Sequence, residues 1–95
     1  MYLSQRDYTF LRFEKATQKD KKYNAVLQNN KTKREKRIPF GYLPMENYQD
    51  KTGLNLYPKL IHGDPVRRKA FQSRFHHLLK DGYYSAAYYS YYYLW

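Results

Sequence analysis

The sequence predicts an α+β domain: a small three-stranded antiparallel meander with one amphipathic helix and a short aromatic C-terminal segment packed on it. Three observations lead there. Short aromatic runs separated by turn formers fill the first forty-two residues. An Asp64-Pro65 pair and a Gly82 bracket a stretch of helical periodicity. The last thirteen residues are dominated by tyrosine and carry no charged side chain.

The strands come first. Tyr8 to Phe13 alternates in part, placing Tyr8, Phe10 and Arg12 on one face and Leu11 and Phe13 on the other. Lys22 to Gln28 is the second strand and Arg37 to Tyr42 the third, with Pro39 marking the third as an edge. Asn29 to Lys33 supplies turn formers for the hairpin between the last two. Residues 1–42 thus form a basic meander. Residues 43–62, with Pro44, Gly53 and Pro58, read as an irregular connector. Tyr48, Leu54, Leu56, Tyr57, Leu60 and Ile61 are expected to pin it to the body.

The helix occupies residues 64–81. Asp64 caps the first-turn amides, Pro65 fits the first helical position, and Asp81-Gly82 stops the helix after Lys80. Phe71, Phe75, Leu78 and Leu79 share one face, flanked by Arg67 and Arg74, while Arg68 sits within the apolar stripe. An arginine there can stack on a ring, which stabilises by roughly 0.5–2 kcal/mol. Arg68 or Arg74 is therefore expected against a tail aromatic. In residues 83–95, Ser85 can cap a short helix that puts Tyr88, Tyr91, Tyr92 and Trp95 on one face; an extended strand is the alternative.

At 95 residues the chain makes one domain, 1–95. Aliphatic residues are few, but thirteen Tyr, five Phe and one Trp supply apolar area. The net charge is +10, of which residues 1–38 contribute +7, and this favours polyanionic partners. Cysteine is absent, so no disulfide or thiolate metal site exists, in keeping with a reducing, intracellular setting. Neither a membrane span nor the apolar run of a signal peptide is visible.

The candidate site is basic. Lys31, Lys33, Arg34, Lys36 and Arg37 can neutralise phosphates and release counterions, and Arg67 and Lys69 can join them. A solvated hairpin loop explains the same cluster equally well in isolation. A second cluster, Lys19, Lys21 and Lys22, is expected nearby in the meander and tilts the balance to nucleic acid. Most tyrosines lie away from these cations, so base stacking is a weaker reading. His62 and Asp64 suit a general base with its orienter, but capping by Asp64 and packing of His62 on the tail explain them more simply. His76 and His77 point about 100° apart on a helix and do not chelate one metal. No phosphate loop, nucleophile elbow or cofactor motif is present, and a nuclease using His62, Arg67 and Arg68 is the least supported reading.

Four features occur in order: Ile38-Pro39-Phe40-Gly41, Tyr48-Gln49-Asp50-Lys51, His62-Gly63-Asp64-Pro65-Val66-Arg67-Arg68 with Arg74 and His76, and Tyr93-Leu94-Trp95. This pattern resembles a family of small basic proteins of unknown function encoded by tailed phages and large DNA viruses. Those proteins share a strand ending in Phe-Gly, a His-x-Asp-Pro-x-Arg-Arg helix start and a Leu-Trp close. The resemblance covers about residues 20–95 and implies viral origin with a virion- or genome-associated role. It carries over no activity, and the heavier tyrosine load of this tail departs from it. The sequence therefore leads to a non-enzymatic nucleic-acid-binding protein without metal or cofactor. The alternative is a virion assembly protein whose Tyr-rich tail docks on another subunit.

Overall fold

The central strand of the sheet is buried on both faces, and everything else follows from how each face is covered. The computed structural model describes residues 1–95. Its strands are β1 (Leu3–Ser4), β2 (Tyr8–Lys15), β3 (Lys21–Asn29), β4 (Glu35–Tyr42) and β5 (Tyr83–Tyr84). β2, β3 and β4 form the expected antiparallel meander with β3 in the middle, while β1 and β5 make a separate antiparallel pair. Pro39 lies on an edge strand, as its missing N–H requires.

Alternation along β3 sends Tyr23, Ala25 and Leu27 to one face and Lys22, Asn24 and Val26 to the other; all six are buried. Ile38 and Phe40 of β4 join the first face. The expected facing of β2 fails at its middle. A bulge between Phe10 and Arg12 leaves Leu11 exposed, so Phe10 and Phe13 both turn to the core, 4.7 Å apart, and Arg12 turns away. One extra residue inverts everything after it.

The second face is roofed by charge. Arg12, Val26 and Arg37 lie opposite one another across the three strands. Arg37 bonds Glu14 at 2.8 Å and Glu35 at 3.4 Å, and Arg12 bonds Glu35 at 3.3 Å. Exposed pairs of this kind are individually worth about 0–1 kcal/mol. Their aliphatic stems keep water from Val26, which is fully buried.

The tail covers the first face. β5 leads into a one-turn helix, α2 (Ala86–Tyr89), capped by Ser85 Oγ accepting from the Tyr88 amide at 3.1 Å; a π-turn follows over Ser90–Leu94. The segment is thus strand and then helix. Its buried hydrophobic side chains are Tyr89 and Leu94; of the expected Tyr88–Tyr91–Tyr92–Trp95 face, Tyr88 and Trp95 pack against the core and Tyr92 is half exposed. The wider turn is the reason: i→i+5 bonding, as in Trp95 N–H to Ser90 O at 3.1 Å, shifts the phase of an α-helical wheel.

The amphipathic helix α1 (Pro65–Phe75) is shorter than expected. Asp64 caps it as predicted, accepting from the Val66 and Arg67 amides at 2.9 and 3.4 Å. It ends in a 3₁₀ turn over His76–Leu78 and does not reach Lys80. Gly82 adopts the anticipated positive φ of 81°, but in the turn that starts β5 and not as a helix cap. Pairing of β5 with β1 demands that turn, and the Tyr2 hydroxyl donates to Leu78 O at 3.0 Å. No side chain of α1 is fully buried. Phe71 stacks on Trp95 at 4.3 Å, nearly parallel. Arg68 reaches the tail through the Trp95 carbonyl (Nε donating, 2.7 Å), while its guanidinium lies over the Tyr48 ring of the connector at 4.7 Å.

The connector is held by polar contacts more than by its leucines, since Leu54 and Leu56 are exposed. Buried Asn47 is its hub. Its amide donates to Leu60 O, its carbonyl accepts from His62, its Nδ2 donates to Gln49 O, and its Oδ1 accepts from Lys22 Nζ. Tyr23 donates its hydroxyl proton to Asp50 and accepts from the Leu56 amide at 3.0 Å.

Two comparisons of stability, read by urea denaturation, check this packing. Gly41 has φ 76°, and an added Cβ would sit 2.9 Å from Leu94 Cδ1. Gly41→Ala should cost roughly 3 kcal/mol, against about 1 kcal/mol for Gly53→Ala, which has equal strain but open space. The Tyr89 hydroxyl is buried without a partner. Tyr89→Phe should therefore raise stability by about 1 kcal/mol, while Tyr23→Phe, which strands Asp50 and the Leu56 amide, should lower it by about 1–3 kcal/mol.

Candidate nucleic-acid interface

The β3–β4 hairpin is built by side chains that replace missing backbone partners. Asn29 Oδ1 accepts from the Lys31 and Thr32 amides at 2.9 and 3.0 Å, and Thr32 Oγ1 accepts from Arg34 at 3.3 Å. The Lys33 amide donates to Asn29 O at 2.8 Å, and Lys33 itself takes φ 63°. Such Asx and Thr turns hold a loop in one shape. Lys31, Lys33, Arg34 and Lys36 are all exposed, and none is ion-paired.

A fifth cation belongs with them. Asn30 takes the Arg6 carbonyl through Nδ2 at 3.1 Å and the Asp7 carbonyl through its amide at 2.9 Å, so the β1–β2 turn is laced to the hairpin. Arg6 is exposed there. The start of β2 lies beside the β3–β4 turn in an antiparallel meander, with Tyr8 paired to Asn29, which is the signal that would have found it.

The remaining expected residues part company. Arg37 is committed to the charged roof, where hydrogen bonds from Arg37 and Asn24 hold the Glu14 carboxyl below its ordinary range. Arg67 bonds Glu46 at 2.8 Å, and that bond lowers the Glu46 carboxyl in turn. Lys69 is exposed two residues further along α1. These helix cations sit at the far end of the sheet: Gln28 pairs with Glu35 beside the hairpin, Lys21 pairs with Tyr42 at the other end, and Arg67 shares a cleft with Lys21 and Tyr42. Seven residues of strand separate the two ends by about 23 Å.

The Lys19–Lys21–Lys22 cluster does not approach the hairpin either. It belongs to the β2–β3 turn, and successive turns of a meander lie at opposite ends. Lys22 is not even on the surface. Only 2% of it is exposed, and its ammonium bonds Met45 O at 2.7 Å and Asn47 Oδ1. Burial pushes its pKa down to about 8, although Asp50 and Glu46 oppose the shift.

His62 adopts the simpler of its two readings. Its Nδ1 accepts from the Asp64 amide at 2.9 Å, its ring packs 5.1 Å from Trp95, and Nε2 is buried without a partner. Desolvation, aided by Arg67, lowers its pKa. Three or more His, Asp or Glu side chains suited to hold a metal do not gather anywhere. No helix is long and apolar enough to cross a membrane. Comparison with protein-family models, curated proteins and solved structures finds no match to this chain.

The buried titrating groups give stability an alkaline optimum. The folded state holds the Lys22 proton more weakly than the ordinary 10.5, so stability rises between about pH 8 and 10.5. Burial raises Tyr23 to about 12, and Tyr89 is raised further, so the folded state retains protons that the unfolded chain sheds above 10.0. Stability then falls. Urea midpoints should rise above about pH 8 and peak near pH 10, and Lys22→Met should remove most of that rise.

Proposed function

We propose that this protein is a non-enzymatic binder of nucleic acid that grips the phosphate backbone with the end of the sheet carrying the β3–β4 hairpin. One observation carries the reading. Arg6, Lys31, Lys33, Arg34 and Lys36 are exposed at that end without an ion-pair partner, on and beside a loop wired into a fixed shape. Of the acids nearby, Glu35 is engaged by Arg12 and Arg37, which leaves Asp7. Flexible cations pay for ordering when they bind; a preformed loop reduces that cost.

Lysines act as point charges, so the expected contact is with phosphates and not with particular bases. The aromatic tail gives little support to base stacking or to docking on another subunit, because Tyr89 and Leu94 face the core. His62 gives little support to phosphodiester cleavage, with one nitrogen engaged and the other enclosed. The viral, genome-associated setting rests on the motif resemblance and accords with this chemistry.

A salt titration of the full chain on double-stranded and single-stranded DNA tests the reading. Affinity should fall steeply with salt, and each phosphate contact should add about 0.9 to the magnitude of the log–log slope on duplex. Lys33→Ala, Arg34→Ala and Lys36→Ala together should lower that slope by roughly 2–3 on duplex. Lys59→Ala and Lys51→Ala, remote from the hairpin, should leave it near the unmodified value. Absence of binding at low salt, or equal losses from both sets, would overturn the reading.

A further inference from the structure

The charge that the hairpin does not use is gathered at the other end of the sheet, around a cleft. α1 presents its apolar flank there without burying any side chain of its own. Between α1, the end of β4 and the tail lies a cavity of about 510 Å³. Phe71, Phe75 and Leu78 line it together with Phe40, Leu94 and Trp95, and Phe71 and Trp95 meet where they stack. Phe75 and Leu78 remain more than a third exposed. Sites for small ligands have volumes of roughly 300–1,000 Å³ and combine apolar walls with a few placed polar groups. This cleft has both features.

Its polar groups have one sign left over. Lys21, Lys22, Arg67, Arg74 and Glu46 line it, and Glu46 is already paired with Arg67. Lys21, Lys22 and Arg74 bond no carboxylate directly, although Asp50 and Glu46 act on Lys22 from a greater distance. Lys22 is the informative one. A buried ammonium is costly unless an anion answers it. Its two acceptors, the Met45 carbonyl and Asn47 Oδ1, are both neutral. An ammonium has three N–H donors, so one is left over. Gly41 keeps this lysine in place, since its missing side chain leaves room for the Lys22 stem, 3.2 Å from where a Cβ would be.

We infer that this cleft binds a free single-chain alkyl carboxylate, with the chain along the apolar flank of α1 and the carboxylate toward Lys22 Nζ. The apolar walls select the chain and the unanswered cations select the sign of its head group. A membrane surface fits less well, because the walls enclose a pocket and do not form a flat face. This site is separate from the hairpin and does not depend on nucleic-acid binding.

The single tryptophan lines the cleft, stacked on Phe71, and its fluorescence reports on occupancy. The full chain is titrated with decanoate, 1-decanol and decylammonium, each below its aggregation limit. Decanoate should give a saturable change and bind at least tenfold tighter than decanol, with decylammonium weakest. Lys22→Met should remove the preference for decanoate over decanol while leaving decanol unchanged. If that variant fails to fold, Arg74→Gln serves instead and should weaken decanoate severalfold without affecting decanol. Ala70→Phe, which fills the cleft from an exposed position on α1, should weaken decanoate and decanol alike.

The proposal is overturned by the absence of a saturable change with decanoate, or by equal affinity for decanoate and decanol. Unaltered discrimination in both cation variants overturns it too. So does an equal loss of decanoate affinity in the hairpin variant carrying Lys33→Ala, Arg34→Ala and Lys36→Ala, which would mark a nonspecific charge effect. A concentration-dependent dimer that shields Trp95 without added carboxylate would assign the cleft to a second copy of the chain.

Discussion

One face of a three-stranded sheet is apolar and must be covered, and this chain covers it with a turn of tyrosine. Tyr89 and Leu94 close over Tyr23, Leu27, Ile38 and Phe40, and Phe10 and Phe13 complete the rim. Much of the rest of the architecture serves to hold that turn in place. β5 pairs with β1 to deliver it, and Ser85 caps its start. Gln49 and Lys51 of the connector donate their amides to Leu94 O and Tyr93 O at 3.0 and 2.9 Å, which satisfies the carbonyls at its end. Arg68 takes the Trp95 carbonyl, so α1 is tethered to the tail instead of to the sheet. With few aliphatics available, stacked and edge-on rings supply the area that a small core needs.

Because the tail occupies the sheet face, α1 is left with its apolar flank uncovered. That displacement explains why a well-capped amphipathic helix has no buried side chain, and why a cleft opens beside it. The opposite sheet face is sealed by guanidinium and carboxylate groups, which removes Arg12 and Arg37 from the pool of free cations. Many of the cations are therefore divided among three tasks: a roof, where carboxylates neutralise them, a cleft and a loop. Only the loop holds cations that are exposed, clustered and unpaired around one fixed turn.

The polar interior sets the connector's position. Lys22 with Asn47, and Tyr23 with Asp50, are adjacent residues of β3 reaching to opposite faces and gripping the same connector. Buried polar groups of this kind stabilise when their partners are complete and cost when they are not. Asn47 is bonded through each of its polar atoms; the Tyr89 hydroxyl has no partner.

Local chemistry was readable in the sequence. The meander, its edge proline, the Asn29 hairpin, the Asp64 cap, the Ser85 cap and the packing of His62 follow from rules that span a few residues, and each is present. The exposed hairpin cations Lys31, Lys33, Arg34 and Lys36 were legible for the same reason. What the chain did with phase and distance was decided in three dimensions. The Leu11 bulge inverted half of β2, the π-turn rotated the tail's inner face, and the β1–β5 pairing cut α1 short, because each answers to a partner remote in sequence. Arg6 joined the hairpin, while Lys19, Lys21 and Lys22 went to the far end. Arg37 and Arg67 acquired carboxylate partners. A sequence lists its charges, but which of them remain free depends on which side chains the fold places within about 4 Å, and only the tertiary structure determines that.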